Sequence, residues 1–129
     1  MNVEFIWPVR VYYEDTDAGG VVYHANYLRF MERARNEWLR NMGRPIEKIV
    51  EQDKLIFVVR SVQMKFIRPA RLGDTLEISA AIESQRRASM IIAQEVRLDG
   101  QVLVKAEIQL AMVSSETFRP AALPDYLKQ

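Results

Sequence analysis

Apolar and polar residues alternate with a period of two through most of the second half of the chain. Val58, Val62, Met64 and Phe66 are set against Ser61, Gln63 and Lys65. Leu76, Ile78, Ala80 and Ile82 alternate with Thr75, Glu77, Ser79 and Glu83. Met90, Ile92, Val96 and Leu98 alternate with Ser89, Glu95 and Arg97, with Gln94 intruding on the apolar side. Val102, Val104, Ala106, Ile108, Leu110 and Met112 alternate with Lys105, Glu107 and Gln109. A two-residue period turns successive side chains to opposite faces of an extended chain, so each run predicts a strand with one dry face. Asp99-Gly100, between the last two runs, predicts a two-residue type I′ hairpin. Arg71-Leu72-Gly73-Asp74 predicts a turn between the first two.

The first half has a different rhythm. Residues 3–13 are rich in β-branched and aromatic types and read as a strand, with Pro8 placing it at an edge or a bulge. Gly19-Gly20 interrupts any regular pattern, so residues 14–23 read as a loop. From about His24 to Met42, Tyr27, Leu28, Met31, Ala34, Trp38 and Met42 mark one helical face, and Gly43 with Pro45 marks its end. Arg29, Glu32, Arg33, Asn36, Glu37 and Arg40 occupy the opposite face, with Arg33 and Glu37 spaced as an i,i+4 ion pair. Residues 114–129, with Pro120 and Pro124, read as an extended tail with one helical turn at the end. Strand, long helix and four strands make an α+β chain whose single antiparallel sheet has one helix to cover its dry face. The sheet must therefore curl around that helix.

Composition narrows the class. One domain spanning residues 1–129 is expected from length, and 49% hydrophobic residues suffice for a core. Eighteen basic against 17 acidic residues carry no basic excess for nucleic acid or a membrane surface. The chain has no cysteine, which excludes disulfides, thiolate nucleophiles and cysteine metal sites. The first residues lack a basic and apolar leader, and no run approaches the roughly 18 apolar residues of a membrane span. These features predict a cytoplasmic protein.

The chemistry concentrates in Glu14-Asp15-Thr16-Asp17-Ala18-Gly19-Gly20-Val21-Val22-Tyr23-His24-Ala25-Asn26-Tyr27. Acids end a strand, glycines follow, and a helix begins. That order sets a carboxylate beside unpaired helix N–H groups and the positive end of the helix dipole. A base or nucleophile beside such a donor is the minimum equipment for acyl-bond hydrolysis. Asp17 reads as that acid or as a turn cap, and Glu14 and Asp15 as solvated or structural. His24 could transfer a proton or hold the loop, while its backbone N–H can face a substrate oxygen whatever its side chain does. Asn26 reads as a cap or interface residue, and Tyr23, Tyr27 and Trp38 as core or subunit contacts. Asp15-x-Asp17-x-Gly19 fails as a calcium loop, because glycine stands at the fifth ligand position and Asn26 at the twelfth. No Gly-x-Ser-x-Gly elbow or glycine-rich phosphate loop is present.

The stretch Tyr12 to Leu28, continuing through Glu32-Arg33-Ala34-Arg35, resembles the signature of the hotdog-fold acyl-CoA thioesterases. More narrowly, it is similar to the Tol-Pal-associated branch of the 4-hydroxybenzoyl-CoA thioesterase family. The resemblance implies a five-stranded antiparallel sheet wrapped around one long helix, in protomers that join their sheets and assemble as dimers of dimers. It implies hydrolysis of an acyl-CoA thioester to free acid and coenzyme A at a subunit interface, without cofactor or metal. Asp17 falls on the family's catalytic carboxylate and the N–H of His24 on its carbonyl-polarising donor. Substrate contacts are expected from Gly20, Val22, Tyr23, Asn26, Tyr27 and Arg68, the last a partner for phosphate. Acyl carrier protein is an alternative carrier. A non-catalytic acyl-binding or interaction subunit is the competing reading, followed by a hydratase or dehydratase.

Overall fold

The computed structural model describes residues 3–128. Met1, Asn2 and Gln129, which the readings of the chain ends include, lie outside the described residues. Strand β1 (Phe5–Arg10) leads through a single 3-10 turn (Tyr13–Asp15) and a tight loop into helix α1 (Asn26–Asn41). A short helix α2 (Ile46–Lys48) runs on into a wider turn of π type (Ile49–Asp53). Four strands follow: β2 (Leu55–Phe66), β3 (Thr75–Gln85), β4 (Ser89–Leu98) and β5 (Gln101–Ser114). They form one antiparallel sheet in the order β1-β3-β4-β5-β2.

Most of the predicted dry faces of β3, β4 and β5 are buried, as Leu76, Ile78, Ile92, Val96, Ile108 and Met112 show; Val102 is an exception, paired with Arg97 by a register shift and half-buried. On α1, Tyr27, Phe30, Met31, Ala34, Trp38 and Leu39 pack into the same core. The Asp99-Gly100 hairpin forms as expected, with φ of 50° and 81° at the two turn residues and Leu98 opposite Gln101. The turn Arg71–Asp74 closes through Asp74 N–H to the Arg71 carbonyl, and the Asp74 carboxylate accepts the Arg71 N–H. Pro8 does lie in an edge strand. The tail ends in the 3-10 turn Asp125–Leu127, seats Leu123 and Leu127 in the core, and ties Tyr126 Oη–H to Asp53 at 2.9 Å.

Several expectations are corrected. The first strand stops at Arg10, because Val11 turns to bond the Asp74 and Gly73 backbone and the Asp15 carboxylate draws the Tyr12 N–H into a 3-10 turn. Helix α1 begins at Asn26, two residues late. Arg33 and Glu37 form no ion pair among the described residues. Glu37 lies 3.9 Å from Arg40, which reaches Glu47 at 3.0 Å because α2 folds back beside α1.

The largest correction concerns β2. The strand starts at Leu55, and its register against β5 slips between Val59 and Ser61. One extra residue reverses the alternation. Val59, Val62, Met64 and Phe66 stand opposite Leu110, Ile108, Ala106 and Val104 on the helix side, whereas Val58 pairs with Ala111 on the other. This helix-side row is not dry: Val59 is 49%, Val62 38% and Phe66 51% exposed. Helix α1 packs on β1 and β3 and leaves β2, an edge strand, uncovered.

Candidate active site

The loop before α1 is a miniature hairpin. Thr16 bridges Val22, the Asp17 N–H donates to the Val21 carbonyl at 2.9 Å, and the Gly20 N–H returns to the Asp17 carbonyl at 3.0 Å. Asp17 Oδ1 accepts the Gly19 N–H at 2.8 Å, which fixes the carboxylate on the turn and leaves Oδ2 uncommitted among the described residues. Gly20 is set by its backbone conformation, and Gly19 sits close to the carboxylate. A Cβ on Gly19 would meet Asp17 Oδ1 at 3.2 Å, and Gly20 has φ of 81°, where L side chains are strained.

This turn and the helix entry form one unit. The Asp15 carbonyl accepts the Tyr23 N–H at 2.9 Å and Asn26 Nδ2–H at 3.0 Å. Asn26, the first residue of α1, is buried and spends its amide on this bond. The Asp15 carboxylate is structural too, since it holds Tyr12 N–H. On the far side, the Val22 N–H donates to the Ala70 carbonyl and Tyr27 Oη accepts the Ala70 N–H at 3.0 Å. Burial pushes the Tyr27 phenol above its ordinary pKa, with the Ala70 N–H opposing. Ala25, at the N-cap, contributes no side-chain cap to the first turn. The N–H of His24 has no partner among the described residues.

Val22, His24, Tyr27, Phe66 and Arg68 meet around a shallow depression of about 250 Å³. The exposed imidazole lies between Tyr23, at 4.7 Å between ring centroids, and Phe66, at 6.3 Å and edge-on. Tyr27 supplies its ring as wall while its hydroxyl serves the backbone. Arg68 reaches Gln101 at 3.3 Å and stays on the surface. Asp17 and Gly20 belong to the adjoining turn and do not line the depression. Asp17 is exposed in the single chain. Phe66, which the sequence pattern assigns only to a strand face, is a wall residue that pattern missed, as are Ile67 and Pro69. Phe66 ends β2, the edge strand that follows the helix among the described residues, and that position is set by the sheet order.

A larger pocket of about 260 Å³ opens between α1, the Ile46–Asp53 segment and the start of β2. Its walls are mostly apolar, with Glu32, Arg35 and Asn36 along the α1 side. No group of His, Asp or Glu side chains that could hold a metal occurs among the described residues.

A curved five-stranded antiparallel sheet around one long helix, with an acidic turn fastened to the helix entry, defines a hotdog-fold protein of thioesterase type. Residues 19–105 match the family model described as the thioesterase superfamily, and the chain belongs to that family. Over 121 residues it is 46% identical to the acyl-CoA thioester hydrolase YbgC of Escherichia coli O6:H1, covering 93% of this chain and 90% of that protein. It is 40% identical over 124 residues to the acyl-CoA thioesterase YbgC of Haemophilus influenzae, covering 96% and 91%. The crystal structure of a probable thioesterase from Bartonella henselae superposes with a TM-score of 0.89 at 37% identity, covering 95% of this chain and all of that one.

Proposed function

We propose that the protein hydrolyses an acyl-CoA thioester to free acid and coenzyme A, with Asp17 as nucleophile or general base and the His24 N–H polarising the carbonyl. The observation that carries this reading is the doubly held Asp15 carbonyl, which fastens the Asp17 turn to the first residues of α1. In this mechanism the thioester oxygen accepts the uncommitted His24 N–H and gains from the helix dipole as negative charge develops. The Asp17 carboxylate either attacks the carbonyl carbon, expelling the CoA thiolate and leaving an acyl anhydride that water opens, or removes a proton from an attacking water. Label from oxygen-18 water in Asp17 after a single turnover marks the covalent route.

The open row on β2 supports a homo-oligomer. A free strand edge bearing Val59, Val62 and Phe66 calls for a cover, and a second copy of the same edge supplies one. Joined about a two-fold axis normal to the sheet, the two β2 strands run antiparallel. The Phe66 end of one then faces the Leu55 end of the other, and the acyl group passes between α1 and the second copy. The dimer of dimers and the cytoplasmic location belong to the same proposal. No helix among the described residues is long and apolar enough to cross a membrane.

The test is thiol release from a panel of acyl-CoA and acyl-carrier-protein esters by the wild-type chain and Asp17→Asn. Turnover that the substitution abolishes supports the hydrolase. Binding without turnover favours the non-catalytic subunit, which the turn-capping bond of Asp17 would also suit.

A further inference from the structure

Gln94 breaks the apolar alternation of β4, yet it is only 1% exposed. Its Nε2 donates to the Met31 carbonyl at 3.1 Å and the Ser79 carbonyl at 3.2 Å, and its Oε1 accepts Arg35 Nη1–H at 2.9 Å. The amide is thus anchored to helix and sheet at once, and it holds one arm of the Arg35 guanidinium. The other donors of that guanidinium have no acceptor among the described residues. Arg35 lines the pocket of about 260 Å³, whose other walls include Leu39, Phe57 and Met90. Desolvation lowers the Arg35 pKa, and Glu32, one turn back, opposes that effect. Glu32 forms no ion pair with it among the described residues. No buried side-chain nitrogen among the described residues lacks a partner, so the remaining Arg35 donors meet water; a group that displaces that water must replace its hydrogen bonds or leave the donors unpaired.

We propose that this pocket receives the far end of the acyl group, and that Arg35 selects acyl groups carrying an uncharged oxygen acceptor there. The inference rests on the acyl-CoA reading above. Antiparallel joining of two β2 strands sets Leu55 and Phe57 of one copy, which line this pocket, against the Phe66 end of the other, beside its His24 depression. An acyl chain held at the His24 N–H therefore has its far end directed to the second copy's pocket. A neutral oxygen is the acceptor proposed because exposed Glu32, on the same wall, weakens the draw of the guanidinium on a carboxylate. A plain alkyl end leaves the guanidinium donors desolvated and unpaired, which is the stronger form of discrimination.

The experiment compares acyl-CoA esters of equal chain length with and without a keto oxygen at the far end, over a series of lengths. The readouts are kcat/KM and quenching of Trp38, which lines the pocket. The wild type should prefer the keto ester by about tenfold or more at the best length, the size of one hydrogen bond from a charged donor. Arg35→Met should remove most of that ratio. Equal kcat/KM for the two esters in the wild type overturns this proposal and leaves the hydrolase reading intact. Selective Trp38 quenching by the keto ester without turnover preserves the pocket and overturns the hydrolase. A ratio unchanged in Arg35→Met, with the oligomer intact, assigns the donor to another group and overturns the proposal.

Discussion

Asp17→Asn separates the proposed catalytic carboxylate from a turn cap, because the turn bond uses only Oδ1. The bond that shapes the turn runs from the Gly19 N–H to Asp17 Oδ1, and an asparagine carbonyl oxygen accepts it equally well. The surrounding closures, Asp17 N–H to Val21 and Gly20 N–H to Asp17, are backbone bonds. Loss of the side-chain bond altogether would cost about 0.5–1 kcal/mol at this exposed position, or roughly 2–5 °C in a domain of this size. The asparagine should cost less, leaving melting within about 3 °C of wild type. A neutral amide neither attacks a thioester nor takes a proton from water, so turnover should fall by at least about a hundredfold, near 2.7 kcal/mol of transition-state stabilisation. Asp17→Ala, which also loses the turn bond, should melt a few degrees lower and be no more active. Thiol release and thermal melting are measured on the same preparations. Turnover of Asp17→Asn within threefold of wild type would refute the reasoning (threefold is about 0.65 kcal/mol), as would melting that falls in step with activity.

Four further outcomes are expected. His24→Ala keeps the backbone donor and should lose much less turnover than Asp17→Asn; an equally deep loss would mean that the imidazole takes part. Val59→Lys or Val62→Lys puts a charge on the open β2 row and should shift the oligomer toward single chains in analytical ultracentrifugation, with activity falling in parallel; a wild type that sediments as a single chain would contradict the interface. Gln94→Leu removes the side-chain donor to the Ser79 carbonyl and the acceptor of one Arg35 donor, while the Met31 carbonyl keeps its place in the helix ladder, and urea denaturation should show a loss of about 1–3 kcal/mol. Tyr126 has its phenol pKa pushed up to about 12, first by burial and then by its bond to Asp53. Because the folded-state value is raised, its contribution to stability is intact below about pH 10 and is lost as pH climbs through 12; Tyr126→Phe should delete one late phenol from the ultraviolet titration.

Most of the sheet was legible because its signals are local. A period of two on β3, β4 and β5 fixes the buried face over most of their length, since a one-residue slip exposes the apolar set, and the register shifts only near Ile82/Ser84 and Val96/Arg97. Asp99-Gly100 specifies its turn through two positive φ values that few residue pairs accept. The same logic failed on β2. A bulge is invisible to a parity count, so Val58 was assigned to the face that Val59 occupies. The short helix α2 and the turn after it gave no periodic signal, being too brief to show a face. At the site, the acid–glycine–helix order pointed to the groups proposed to react. It could not assign Asn26 or the Asp15 carbonyl their tethering role, because a bond from a side chain to a backbone oxygen eleven positions earlier depends on how the loop folds.

What the sequence determined alone is what depends on neighbours within a few positions: the strand periods, the helical face, the glycines that permit the Asp17 turn, and the acid placed just before a helix. What the tertiary structure decided is what distant segments do to one another. It left the helix-side row of β2 uncovered, turned Gln94 from an anomaly into the anchor of Arg35, and brought Phe66 beside His24. The reason is physical. Local patterns report each residue's preference for a conformation and for water, whereas coverage and pairing depend on how much surface the one helix can reach.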